Sequence, residues 1–330
     1  MRRSLLDRLR AAAGVALGLL VLTAAIGSAR AAFPDRPITI VVPFDPGGSL
    51  DLHARAVAQV MQRLVGQNVL VVNRRGAVGS IGLQSVANAK PDGYTIVATP
   101  LPIVTNPEVD KLFDRAPAFS TDAFTPLCLL SNDPLVLVVR DESRWRSLDA
   151  LIAAARGAPG AIKYSSPGPY GSVHLATELF ADQAGIKLLH VPFTGTAPSL
   201  NALLTGEVDL FFAPTTTAIA QVEGGRLRAL AVTGEARFAN LPAVPTVAES
   251  GYPNLVTNWY ALFAHRDTPA PELGVLRGAL DRMGADPEFA ALLAKTNTIV
   301  DYRPADRLQA FVVAQHATLA RLIAKLGRID

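Results

Sequence analysis

Short apolar strands alternate with helical patterns along most of this chain, and this alternation restricts the fold more than any other feature of the sequence. Between the first two strands, Leu52, Ala56, Val60 and Leu64 recur every four residues, as on one face of a helix. Strands about thirty residues apart with a helix between them are typical of βαβ units and a parallel sheet. The first three predicted strands are 38–42, 69–72 and 94–98.

A second series with the same alternation follows, and an Ala- and Leu-rich helical stretch runs to Leu326. The predicted strands of this series are 135–139, 162–165, 188–191, 208–212, 227–232 and 257–263. The predicted helices are 147–156, 172–183, 197–204 and 216–223. We therefore predict an α/β fold with two α/β units and a helical C-terminal region.

The turn after the first strand brings Ser49 to the start of an amphipathic helix. A helix start carries unpaired N–H groups and a partial positive charge, so it can hold an anion without arginine. Gly47 and Gly48 permit close approach to a ligand because they lack a Cβ. The structural alternative is that Ser49 only caps the helix.

The first 31 residues read as a secretory signal peptide. A basic start with Arg2 and Arg3 precedes an apolar run, and Ala29 and Ala31 form an A-x-A cleavage site. The alternative is an uncleaved anchor, but the apolar run of about sixteen residues is shorter than the roughly twenty that span a bilayer. We predict cleavage after Ala31 and a periplasmic location. The lone Cys128 lies in an apolar run and is predicted to be buried, so no disulfide forms.

Charge and motif content exclude several function classes. Removing residues 1–31 takes away five arginines and Asp7, which leaves 26 basic and 27 acidic residues out of 31 and 28. This balance lacks the excess of positive charge that is typical of nucleic-acid-binding proteins. The histidines are scattered, no G-x-S-x-G or H-E-x-x-H motif occurs, and we predict no metal, cofactor or catalytic residue. A secreted hydrolase with a dispersed triad is the alternative from another class.

A set of motifs in fixed order resembles the extracytoplasmic solute-binding receptors of tripartite tricarboxylate transporters, often called Bug receptors. The resemblance covers essentially the whole mature sequence. Its motifs are PFDPGGSLD at 43–51, NRRGAVGSIG at 73–82, PDGY at 91–94, NP at 106–107, HVPFTGTAP at 190–198, GEVDLFF at 206–212, LRALAVT at 227–233 and PTVAE at 245–249.

The resemblance implies a two-lobed periplasmic-binding-protein type II fold with a ligand cleft between the lobes. The two crossover segments are expected near 130–135 and 255–260. Lobe one is then 33–131 plus 259–330, and lobe two is 132–258. The expected partners are a small organic carboxylate and the membrane subunits of the transporter, with the receptor itself a monomer. A periplasmic sensor subunit that serves a signalling protein remains an alternative.

The predicted cleft is formed by loops at the carboxyl ends of strands in both lobes. Asp51 either pairs with Arg55 on one helix turn or binds an ammonium group. His174 is interpreted mainly as a packing or hydrogen-bonding residue. The predicted ligand-binding residues of lobe one are Phe44, Pro46, Gly47, Gly48, Ser49, Thr99 and Asn106. Those of lobe two are Ser166, Gly168, Tyr170, Gly171, Ser172, Phe193, Thr194, Pro214 and Thr215.

Departures from the family pattern bear on the ligand. Tyr170 stands where the family has a small residue, so it either narrows the pocket or stacks on the ligand. Ala213 and Pro214 occupy a position where many relatives carry Asp-Asn, so an acidic partner for an ammonium is missing. Loops rich in hydroxyls and glycines favour one or two carboxylates over a citrate-like trianion. We therefore expect a monocarboxylate or dicarboxylate with a neutral body.

Overall fold

Two β-sheets with helices between their strands make up the protein, as seen in a computed structural model that describes residues 33–254, 256–296, 298 and 300–329. The strands are β1 (Ile38–Val42), β2 (Val69–Asn73), β3 (Thr95–Thr99), β4 (Phe124–Asp133), β5 (Leu135–Arg140), β6 (Lys163–Ser166), β7 (Leu189–Pro192), β8 (Leu210–Pro214), β9 (Leu227–Val232), β10 (Asn258–His265) and β11 (Val300–Pro304). The helices are α1 (Ser49–Val65), α2 (Ser80–Ala87), α3 (Pro102–Leu112), α4 (Leu148–Gly157), α5 (Ser172–Ala184), α6 (Thr196–Thr205), α7 (Thr215–Glu223), α8 (Ala270–Gly284), α9 (Pro287–Ala294) and α10 (Ala305–Leu326).

The first sheet has the strand order β11-β4-β10-β3-β1-β2. β1 lies parallel to both β2 and β3, and its last residue, Val42, is level with Asn73 of β2. β10 runs antiparallel to β3 and β4. The strand order reverses between β1 and β3, and such a switch point opens a crevice at the carboxyl ends of the strands.

The second sheet has the order β7-β6-β8-β5-β9 and also combines parallel and antiparallel strands. β6 lies parallel to β7 and β8, while β5 runs antiparallel to β8 and β9. Its switch point lies between β6 and β8. The predicted α/β class with parallel units in both halves is therefore confirmed.

The chain passes from the first sheet to the second between β4 and β5, and it returns between β9 and β10. Hydrogen bonds hold the two passages together. Leu135 N donates to Thr233 Oγ1 at 2.9 Å, Thr233 N donates to Leu135 O at 2.9 Å, and the Thr257 hydroxyl donates to Asn132 Oδ1. One buried hydrophobic cluster includes residues of both sheets, and Arg36–Asp330 forms one compact unit. The lobe limits 33–131 plus 259–330 and 132–258 remain a prediction.

Several elements differ from the predicted pattern. β4 and β11 were not predicted, because Pro126 interrupts the apolar run of β4 and the VDYRP sequence of β11 carries two charges. β11 divides the expected helical C-terminal stretch. The predicted burial of Cys128 is confirmed, since it is fully buried in β4 and burial raises the pKa of its thiol.

The predicted signal peptide, 1–31, lies outside the described residues. Among the described helices, none combines the length and apolar character needed to cross a lipid bilayer.

Candidate functional site

The carboxyl edge of the first sheet carries three loops, each leading into a helix. The loop after β1 reaches α1, the loop after β2 reaches α2, and the loop after β3 reaches α3. Phe44, Pro46, Gly47 and Gly48 lie in the first loop, and Ser49 is the first residue of α1. The alternative interpretation of Ser49 as the helix cap is wrong. The N-cap is Gly48 in an extended conformation, without a side-chain cap hydrogen bond.

The buried Asp51 carboxylate organises the loop after β1. It accepts Gly47 N at 2.9 Å, Arg55 Nε at 2.8 Å and Asn73 Nδ2 at 2.9 Å. Burial opposes ionisation of Asp51, yet the hydrogen bonds from these partners hold its pKa below its usual range. The predicted pair with Arg55 is confirmed. The Gly47 N–H group is occupied within the loop, so the N–H groups of the first turn of α1 are the donors that remain for an anion.

A buried polar cluster contacts the start of α1. His53 Nδ1 donates to Ser49 O at 2.6 Å, and His53 Nε2 accepts from the Ser131 hydroxyl at 3.2 Å. The Tyr260 ring lies 4.5 Å from the His53 ring, and its hydroxyl bonds to the Ser49 side chain. Burial lowers the pKa of His53 to about 4, so the imidazole is neutral at pH 7.

Helix α3 contacts the loop after β2 and the start of α2, beside this first loop. Asn106 Nδ2 donates to Val78 O at 3.0 Å and to Ser80 Oγ at 2.9 Å. Arg75 forms an exposed ion pair of 2.8 Å with Asp45. Val78 has a φ of +51°, which is unusual for a β-branched residue, and its side chain is 68% exposed.

The predicted site residues of the first sheet thus lie at one edge, in the loop after β1, at the start of α1, at the end of β3 and within α3. Thr99 is fully buried at the end of β3, where its hydroxyl donates to Pro100 O at 3.3 Å. The contribution of Asn73 was not predicted from the sequence. The position of this amide depends on the alignment of Val42 with Asn73, which no single strand reveals.

On the second sheet, the loop 167–171 between β6 and α5 has its own internal hydrogen bonds. The Ser166 hydroxyl donates to Gly168 O at 3.0 Å and accepts Gly168 N at 3.2 Å. It also lies 2.7 Å from His190 Nε2. Gly171 is the N-cap of α5 and again makes no side-chain cap hydrogen bond, and Ser172 is the first helical residue.

Two neutral histidines pack beneath this loop. His174 Nδ1 accepts Tyr170 N at 3.0 Å, which confirms the predicted hydrogen-bonding role of His174. The His174 and His190 rings are 4.3 Å apart, and Tyr164 stacks on His190 at 4.8 Å. Burial lowers the pKa of His174 to about 3 and that of His190 to about 4. The cluster is therefore a neutral support for the loop at pH 7.

The remaining predicted residues lie at or just after the ends of β7 and β8, on the same edge of the second sheet. Phe193 N donates to Ser166 O at 2.9 Å, which links the loops after β6 and β7. Phe193 and Thr194 precede α6, whose N-cap is Gly195. Pro214 is the N-cap of α7, and Thr215 is buried at its first position. The approach of the two edges across a ligand cleft remains a prediction.

A cavity of about 1040 Å³ lies elsewhere, between α5 and α10. Its lining includes the apolar residues Leu179, Val256, Phe311 and Leu322 and the charged Arg307. None of the predicted site residues lines it. Within the part of the chain that the structure describes, no group of His, Cys, Asp and Glu side chains is arranged to hold a metal ion.

Comparisons with known proteins match this arrangement. The sequence profile of the tripartite tricarboxylate transporter family receptor (TctC) fits residues 53–328. This chain belongs to that receptor family. A Pseudomonas sp. protein of the UPF0065 group, from the tcbD-tcbE intergenic region, is 39% identical over 87% of this chain and 85% of its own length.

Solved structures agree in fold. A TctC solute-binding protein from Polaromonas, without ligand, has a TM-score of 0.81 at 29% identity and covers 89% of this chain and 100% of its own. The periplasmic binding protein BugD has a TM-score of 0.70 at 32% identity, covering 89% and 99%. The resemblance and the periplasmic-binding-protein fold predicted from the sequence are confirmed, and the family consists of solute-binding receptors rather than enzymes.

Two further solved neighbours contain small carboxylates. An R. palustris protein with adipate has a TM-score of 0.72 at 29% identity and covers 88% of this chain and 97% of its own. MatC from Rhodopseudomonas palustris with bound malate has a TM-score of 0.70 at 29% identity, covering 88% and 99%.

Proposed function

We propose that this chain is a periplasmic receptor that captures a small organic carboxylate between its two sheets and delivers it to the membrane subunits of a tripartite tricarboxylate transporter. The observation that carries the proposal is the pair of helix starts at the sheet edges. α1 and α5 both begin beside a switch point, and a glycine without a side-chain cap is the N-cap of each. Their first-turn N–H groups are suited to carboxylate oxygens.

The charge near these loops favours one or two carboxylates. Arg75 is paired with Asp45, and Arg55 is paired with Asp51, so these arginines are already engaged within the protein. Backbone N–H groups and hydroxyls are then the main ligand contacts, which suits a dicarboxylate such as adipate or malate better than a citrate-like trianion. The engagement of Asp51 also removes it as a partner for an ammonium group.

Export of the chain to the periplasm is part of the proposed function. The basic start, the apolar run and the A-x-A site of residues 1–31 support cleavage after Ala31 and release of a mature receptor into the periplasm. Membership of a transporter receptor family supports the proposed delivery to transporter subunits.

Alanine substitutions at the two N-cap glycines test the site directly. A Cβ on Gly48 would lie 3.6 Å from Asp45 O, and a Cβ on Gly171 would lie 3.7 Å from Gly168 O, so the protein itself accommodates both. We expect Gly48→Ala and Gly171→Ala to lower adipate or malate affinity at least fivefold in calorimetry, because the new methyl groups obstruct close approach of the ligand.

Gly157→Ala, at the end of α4 with no atom near the added Cβ, is the matched control and should leave affinity unchanged. Unchanged affinity in both N-cap variants, with normal unfolding temperatures, would show that these helix starts do not hold the ligand.

A further inference from the structure

Residues 327–329, which follow α10, connect the ligand loop 167–171 to the end of α3. We propose that Tyr170 and this segment form a latch that fixes the loop in its binding conformation, with Tyr170 a positioning residue rather than a ligand contact. The inference rests on the proposed function, because it concerns the loop that precedes the helix start of α5.

The Tyr170 hydroxyl is engaged on the segment side. It donates to Gly327 O at 2.8 Å and accepts Ile329 N at 2.9 Å. The Tyr170 side chain is buried, and its ring meets the Phe113 ring edge-on with centroids 6.2 Å apart. The polar end of Tyr170 is therefore directed at the segment after α10, and its ring packs against Phe113 at the end of α3.

The other side of the segment is fixed to the end of α3. Arg328 Nε donates to Leu112 O at 2.8 Å, and the guanidinium forms an ion pair with Asp114. The same guanidinium lies 5.7 Å from the centre of the Phe113 ring. Because α3 follows β3 of the first sheet and Tyr170 follows β6 of the second, the segment bridges elements of both sheets.

Tyr170 has a backbone conformation that requires such support. Its φ is +58°, in the left-handed region that a bulky residue seldom adopts. Besides the hydroxyl contacts, the Tyr170 N–H group donates to His174 Nδ1. The next two residues are Gly171, the N-cap, and Ser172, the first residue of α5. A restraint on Tyr170 therefore sets the direction of the N–H groups at this helix start.

Loss of the latch should weaken ligand binding. The loop would then be mobile in the free protein, and the cost of ordering it on binding would reduce the binding free energy. Tyr170→Phe retains the ring contacts and removes only the hydroxyl. Two neutral hydrogen bonds correspond to roughly a tenfold loss of affinity, which we expect to arise mainly from faster ligand dissociation.

The first measurement needs no ligand. Amide hydrogen exchange of residues 168–172 in the ligand-free protein should accelerate in Tyr170→Phe and equally in Arg328→Ala, which releases the segment from α3. Tyr252→Phe is the matched control, because it also removes only a tyrosine hydroxyl. That hydroxyl accepts from Arg156 at 3.5 Å, and Tyr252 is far from this loop in sequence. Exchange in that variant should match the wild type.

The second measurement is calorimetry with adipate and malate. The double variant Tyr170→Phe/Arg328→Ala should bind no more weakly than either single variant, because both break one latch. Unchanged loop exchange in both single variants, or fully additive losses, would overturn the latch. Wild-type protein that binds neither probe while its loop exchange responds as expected would instead count against the proposed function alone.

Discussion

At the scale of single residues, the buried Asp51 shows how far the sequence predicts the site. Its pair with Arg55 follows from their i,i+4 spacing and is present at 2.8 Å. Its bonds to Gly47 N and Asn73 Nδ2 were not predicted. They depend on the path of a turn and on the alignment of β1 with β2, and both are set by tertiary packing rather than by local sequence.

Two fully buried histidines, His53 and His174, make the stability of the protein depend on pH. Desolvation lowers their pKa values to about 4 and about 3, whereas an unfolded histidine titrates near 6.5. Between pH 6.5 and 4 the unfolded chain therefore binds more protons than the native protein. Native stability must fall as pH falls through this window, and it is fully present above about pH 6.5.

We expect each of these histidines to reduce the free energy of unfolding by on the order of 1–2 kcal/mol between pH 6.5 and 5. His190 acts in the same direction, whereas the raised pKa of Glu178, caused mainly by burial, partly offsets the loss. Urea unfolding at the two pH values measures the change. Equal free energies, or ring proton resonances of His53 and His174 that titrate near pH 6.5, would refute the assignment.

At the scale of elements, periodicity predicted strands and helices best where they are regular. β1 and β9 have the predicted limits, and α5 begins at the predicted residue. The short helices α2 and α3 were missed, because α2 has only eight residues and α3 contains Pro107. The packing of α2 could not be predicted from the sequence either, because it depends on the contact of Gly82 with the turn after β1.

Gly82→Ala tests this packing. A Cβ at position 82 would lie 2.6 Å from Pro43 Cβ and 2.7 Å from Arg74 O, so α2 or the turn must move. We expect destabilisation of about 1–3 kcal/mol in denaturant unfolding, together with weaker ligand binding. Gly278 lies in the middle of α8, and no atom is within 4 Å of an added Cβ. Gly278→Ala should therefore leave the free energy of unfolding unchanged or raise it slightly. The same stability for both variants would contradict the close contact of α2 with this turn.

At the scale of the whole molecule, the sequence predicted two α/β units, and the structure shows two sheets joined by two adjacent passages. Pro43, Gly47 and Gly48 indicated a loop at a strand end, but the parallel pairing of β1 with β2 and β3 is what gathers three such loops on one edge. The antiparallel pairing of β4 with β10 connects these edges to the passages between sheets. The molecule therefore combines two packed sheets with loops that are gathered at their edges.

Isothermal titration calorimetry of the mature protein with adipate, malate, citrate and glutamate tests the central claim most directly. We predict saturable one-to-one binding of adipate or malate, weaker or undetectable binding of citrate and glutamate, and recovery of the bound acid chemically unchanged. Binding of citrate or glutamate alone, binding of none of the four, or conversion of the acid to a product would contradict the proposal of a receptor for small organic carboxylates.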